Sequence, residues 1–297
     1  MSKNIPAPAS SQRGGSLLRR LSGNRSGAFG LLLVLAFLLV ALAGLLGLTP
    51  RLPAEQFMSH RLAPPTADFP LGTDLFGRDI ASRLISGAAV SLRVAVTAVA
   101  LAGGLGAALG ILAGFAGGRV DNLLMRLMDI LFAFPALLLA LVIVTVLGPG
   151  PANSALAIAI VYLPIFARVA RGPVLSVKEL DFVLAARCLG LRPFSVLLSH
   201  ILPNIVAPLI VQVSLALSWA LLTEAALSYL GLGTRPPAAS WGVMLSESRA
   251  LAERAPWMMV FPGLAIMAGV LGFNLLGDGL RDVLDPRLRG PGKGVRA

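Results

Sequence analysis

The chain has 297 residues, 56% of them hydrophobic and 13% charged, against roughly 25% charged in a soluble globular domain; this balance excludes an ordinary soluble enzyme and places the chain among membrane proteins. Its formal net charge of +11 does not point to nucleic acid, because the basic residues are scattered between apolar runs with no aromatic-basic stripe. A single cysteine, Cys188, and two histidines leave no internal disulfide, no zinc or haem cluster and no redox chemistry.

Residues 1–26 carry Lys3, Arg13, Arg19, Arg20 and Arg25 with no acid and read as a basic cytoplasmic tail. The apolar run 27–48 reaches about 33 Å as a helix, enough to cross the hydrocarbon core. Ala41-Leu42-Ala43 resembles a peptidase site, but the run continues to Leu48, so an uncleaved anchor is expected. Segment 49–93 is too long and polar for a simple turn, and Leu75 to Val90 reads as a short amphipathic helix on the outer surface. A core from 94 to 280 then holds spans at 94–115, 127–147, 152–170, 204–230 and 257–277, and residues 281–297 form a second tail. The fourth of the six spans is short and is interrupted by Pro164, which a kinked helix inside a bundle tolerates. The reading is an all-α membrane protein of six transmembrane helices.

Orientation follows from the basic residues. Segments 1–26, 116–126, 168–203 and 277–297 hold 5, 2, 5 and 5 Lys or Arg, whereas 49–89 and 231–256 hold 4 and 3. The bias puts both termini inside. In the second span Gly106, Gly110 and Gly114 recur on one face, so another helix backbone is expected to approach closely there.

The longest cytoplasmic segment, 171–203, reads RGPVLSVKELDFVLAARCLGLRPFSVLLSHILP. It alternates charges with Phe182, Val183, Leu184, Leu189, Leu191, Phe194, Val196 and Leu197. Two short helices separated by Gly190 and Pro193 fit this pattern, and their apolar faces need a partner. The alternative is a helix pair lying on the membrane surface.

Ala185-Ala186, Gly190 and Leu202-Pro203 within this segment resemble the EAA loop by which binding-protein-dependent ATP-binding-cassette permeases grip their ATPases. Leu184 stands where that loop has its glutamate, and His200 where it has isoleucine. FPLGTDLFGRDIASRLISGAAVSLRVA, DNLLMRLMDILFAFPALLLA, EAALSYLGLGTRPPAASWGVML and FPGLAIMAGVLGFNLLGDGLRDVLDPRL extend the likeness to the C-type permease subunits of dipeptide, oligopeptide and nickel importers. The resemblance implies a type I importer permease fold in the bacterial inner membrane. It further implies a B-type permease as heterodimer partner, two ATPases that hold ATP and Mg, and an extracytoplasmic solute-binding protein. No cofactor is expected in this chain. The coupling loop would comprise Asp181, Ala185, Ala186, Gly190, Leu202 and Pro203, and the cargo would be a peptide or a related solute such as a nickel complex.

Glu224 lies well inside the fifth apolar stretch, where facing lipid costs several kcal/mol. A place on the translocation pathway and a packing or capping role both answer that cost. A gradient-driven carrier is the weaker alternative, because no second intramembrane charge is coupled to Glu224. Arg126 and Asp129, three apart, are expected to pair across one helix face. Trp241 and Trp257 fit outer interfacial anchors. Gly290 to Gly294 superficially matches a phosphate loop, but Arg287 replaces the first glycine and no Ser or Thr follows Lys293, so ATP hydrolysis is expected in partner subunits.

Overall fold

The computed structural model describes Leu21 and residues 24–284; both basic tails and the Gly290 segment lie largely outside them. Among the described residues the chain is helical, apart from loops and one isolated bridge between Thr73 and Asp79. Five helices are long and apolar enough to cross a membrane, and a bent helix pair makes a sixth candidate.

Helix α1 (Arg25–Leu45) starts at Asn24, whose side chain accepts the Ser26 N–H and donates to Asp282 at 2.8 Å. That bond joins the start of α1 to the end of the last helix, and Gly27 and Gly30 let the two backbones touch. Helix α2 (Ile80–Ala116) is capped by Asp79, which accepts from the Ser82 N–H at 2.9 Å. Asp79 thereby satisfies a donor that a helix start otherwise leaves orphaned.

The continuity of α2 corrects the expectation of a surface helix over 75–90. Ile80, Arg83, Gly87 and Ala88 are buried, so the stretch that reads as amphipathic runs into the first turns of the second span. Its charged residues find partners inside the protein and not in water.

Gly117 and Gly118, at φ +66° and +55°, turn the chain into α3 (Gly118–Phe132). Successive positive φ values are tolerated by glycine, which lacks a Cβ. A bend of 88° then separates α3 from α4 (Ala136–Leu147). The third span, expected at 127–147, is thus broken, because Pro135 cannot supply the N–H that a continuous helix requires. Helix α5 (Pro151–Val177) retains Pro164 and runs seven residues beyond the expected end at 170. Its inner turns are held by Arg171, which grips Asp121 through two bonds of 2.5 and 2.6 Å, and by Lys178, which donates to the Gly114 carbonyl.

After the short helix α6 (Asp181–Cys188), helix α7 (Pro193–Tyr229) includes a π-turn at Leu197–Ile201 before its long apolar part. Helices α8 (Trp241–Ser248) and α9 (Trp257–Leu284) complete the bundle. The most extensive contact is α2 on α5. A Cβ on Gly106 would lie 2.6 Å from the Leu163 carbonyl oxygen, and one on Gly110 would strike the Ala167 carbonyl. The glycine stripe therefore does bring two backbones together.

Two expected roles change. Asp129 pairs with Arg168 on α5 at 2.7 Å, and not with Arg126 on its own helix, because α5 lies against α3 at that level. Trp241 is 3% exposed, stacks on Phe37 and donates its indole N–H to the Leu84 carbonyl, so it belongs to the core and not to the interface. Trp257 donates in the same way to the Thr73 carbonyl at 3.1 Å.

Candidate functional site

The segment between α5 and α7 is built on a small apolar core of its own. Val183 and Ala186 on α6 meet Val174, Val196, Ile201 and Ile205, with Ile111 and Phe115 alongside. This cluster fixes α6 against the end of α2, the end of α5 and the start of α7. The helix ends where the Leu189, Gly190 and Leu191 N–H groups bond back to the Ala185, Arg187 and Ala186 carbonyls. Gly190 sits at φ +77°, the left-handed conformation in which helices commonly stop and which glycine adopts without Cβ strain. Pro193 then opens the next helix at its first position, where a missing N–H costs nothing.

The other face is bare. Leu189 is 83% exposed and Phe194 69%, and Phe182, Leu184 and Leu191 are also exposed. Together they form an apolar ridge around the Gly190 turn, of a kind that commonly marks an interaction surface. Space around Gly190 is open: nothing lies within 4 Å of the position a Cβ would take. Asp181, Ala185 and Pro203 are exposed, Leu202 is half-buried, and Ala186 is 4% exposed. Five of the six loop residues therefore reach the surface or its margin, whereas Ala186 faces inward as an anchor. Leu184 and His200, which depart from the EAA pattern, lie on the same small unit, and His200 stacks on Phe182 with centroids 6.3 Å apart.

The π-turn makes the segment after Gly190 continuous with α7. A displacement at Leu202 therefore acts along a helix that reaches Glu224 about 33 Å away. Glu224 is 1% exposed and accepts the Ser228 hydroxyl at 2.7 Å; Ser91 and Ser240 face the same carboxylate. The serine that donates to Glu224 is on α7 itself, and its Oε2 has no hydrogen-bond partner among the described residues. The carboxylate is thus enclosed within the subunit, away from the exposed face of α7.

An ion network at the start of α2 is not evident from the sequence. Arg78 binds Asp74 at 2.6 Å and Glu247 at 3.0 Å, while Arg83 reaches Glu247 at 2.7 Å and Asp74 at 3.4 Å. It joins the segment before α2 to α8. The signal available was the run of charges in GRDIASR beside an apolar span, since buried charges need partners.

The family model described as binding-protein-dependent transport system inner membrane component matches residues 106–290. The chain belongs to this permease family. A dipeptide transport system permease protein of Alkalihalophilus pseudofirmus is 46% identical over 271 residues, covering 91% of this chain and 89% of the relative. A di/tripeptide transport system permease protein of Pseudomonas aeruginosa is 46% identical over 272 residues, covering 90% and 89%. A glutathione transport system permease protein of Pectobacterium atrosepticum is 44% identical over 225 residues, covering 76% and 75%. The permease is thus a multi-pass inner-membrane component that works with an ATPase and a binding protein, and is not itself the ATPase.

Proposed function

We propose that this permease conducts small peptides into the cell as the C-type half of a heterodimer with a B-type permease. Two ATPases dock on 181–203, a solute-binding protein delivers cargo from outside, and both termini are cytoplasmic. The observation that carries the reading is the Gly190 turn, with an apolar ridge facing out and a private apolar core facing in. Such a unit is rigid enough to transmit a force and exposed enough to receive one. The loop must hold the nucleotide-bound and open ATPase arrangements at different energies, since a contact equal in both would shift nothing. The peptide class is supported by the dipeptide and di/tripeptide permeases among the relatives above.

The decisive experiment is uptake of radiolabelled dialanine by the full assembly in proteoliposomes. ATP- and binding-protein-dependent accumulation is expected, and uptake that persists without the ATPases would overturn the reading. Orientation is tested separately in a Cys188→Ser background. A cysteine placed at Ala67, exposed in the segment before α2, should react with an impermeant reagent in intact cells, and one at Ser176, exposed near the inner end of α5, should not.

A further inference from the structure

The surface of α7 that carries Trp219 and Thr223 has a chemistry unsuited to lipid. The Gly150 N–H donates to the Leu232 carbonyl at 3.3 Å, so the outer ends of α5 and α7 are level. At about 1.5 Å per residue Tyr162 lies about 17 Å below Pro151, and Trp219 lies about 15 Å below Tyr229. Both depths fall near the middle of a hydrocarbon layer of about 30 Å. Tryptophan concentrates at membrane interfaces and not at the midplane, yet Trp219 is 57% exposed, and among the described residues its indole N–H has no partner.

One turn above it, the Thr223 hydroxyl donates to the Trp219 carbonyl at 2.8 Å and meets the Tyr162 hydroxyl at 3.1 Å. With the threonine proton committed, the tyrosine is the donor of that second bond, and its oxygen retains capacity to accept. Tyr162 also lines a recess of about 160 Å³ at the bend of the broken span, together with Phe132 and Phe134. Phe132 in turn lies 4.3 Å beneath the Arg168 guanidinium, and Arg168 holds Asp129 in a pair whose side chains are 42% and 62% exposed. The residues run as one strip from mid-depth toward the cytoplasmic side. Tyr162 itself is buried, but the exposed charges and the open indole N–H cost free energy against hydrocarbon and none against water.

We infer that Trp219 and Thr223, backed by the buried Tyr162 and continued inward by Phe132 and the Arg168–Asp129 pair, form this subunit's wall of a water-filled path for a polar, amide-bearing solute. The inference rests on the reading of the chain as the conducting subunit. Glu224, on the next position of α7, points instead into the subunit's own interior. The aromatic and hydroxyl groups match a peptide unit, which offers both a donor and an acceptor, and the ion pair supplies both signs of charge where a zwitterion would leave.

The test uses the complete assembly in a Cys188→Ser background with single cysteines at Trp219, Thr223 and, as a control of matching depth, Leu35 on α1, which is 48% exposed. A charged methanethiosulfonate is the probe, because only a hydrated thiol ionises to the reactive thiolate. Trp219→Cys and Thr223→Cys should react at least about tenfold faster than Leu35→Cys while the ATPases stay bound. Labelling of Trp219→Cys no faster than that of Leu35→Cys overturns the path. Failure of the wild-type assembly to take up dialanine counts against peptide cargo alone, and the labelling ratio still decides where the water runs.

Discussion

Arg83 and Glu247 stand 164 positions apart in the chain and meet at 2.7 Å, with the arginine 1% exposed. The pair fastens the first turns of α2 to α8, so the segment before α2 and α8 are held by charge as well as by apolar contact. Removing one partner of a buried pair leaves the other uncompensated, typically at about 3–5 kcal/mol. Asp74 remains near Arg83 at 3.4 Å and softens the loss, so Glu247→Ala should destabilise the protein by about 2–3 kcal/mol. Thermal unfolding in detergent measures it, and an unchanged midpoint would refute the structural weight placed on the network.

Two glycines of one helix should respond oppositely to alanine. Gly110 touches the Ala167 carbonyl, whereas nothing lies within 4 Å of a Cβ on Gly104. Gly110→Ala must push α5 away and should cost about 1–3 kcal/mol, as overpacking does. Gly104→Ala should gain about 0.5–1 kcal/mol, the helix penalty of glycine. Equal midpoints for the two variants would mean that α2 and α5 do not approach as described.

The proposed coupling segment 181–203 separates into buried and exposed positions. Ala186→Asp places a carboxylate in the apolar cluster with Val174 and Ile205 and should reduce membrane abundance. Ala185→Asp alters an exposed position and should preserve abundance while lowering ATPase co-purification. Gly190→Asn should be tolerated, since asparagine accepts a positive φ better than other side chains. Gly190→Arg adds strain of about 1–2 kcal/mol and projects a long side chain into the open space beside the ridge. Normal stoichiometry and uptake for both Ala185→Asp and Gly190→Arg would remove 181–203 as the docking site.

Glu224→Gln retains an acceptor for the Ser228 hydroxyl and should leave abundance and dialanine uptake close to wild type. Glu224→Ala strands that hydroxyl and should cost about 1–3 kcal/mol, read as a lower unfolding midpoint. A change of cargo selectivity in Glu224→Gln with unaltered stability would return the residue to the pathway.

The sequence by itself determined the membrane class, the six apolar stretches, the glycine stripe of α2 and the glycine-proline turn between α6 and α7. These are local properties: hydrophobic length, a four-residue period, and a glycine and proline at a turn. Only the tertiary structure decided that Asp129 meets Arg168 and not Arg126, that the third span bends by 88°, that Ala186 faces inward and that Trp241 is core. Each depends on which distant helix arrives at a given level. A helix face presents the same residues to lipid, to water or to a neighbour, and the choice follows from how close the neighbouring backbones can pack. Where glycine removed the side chains, α2 and α5 closed together, and their contact set the positions of the charges and hydroxyls that chain order alone leaves unassigned.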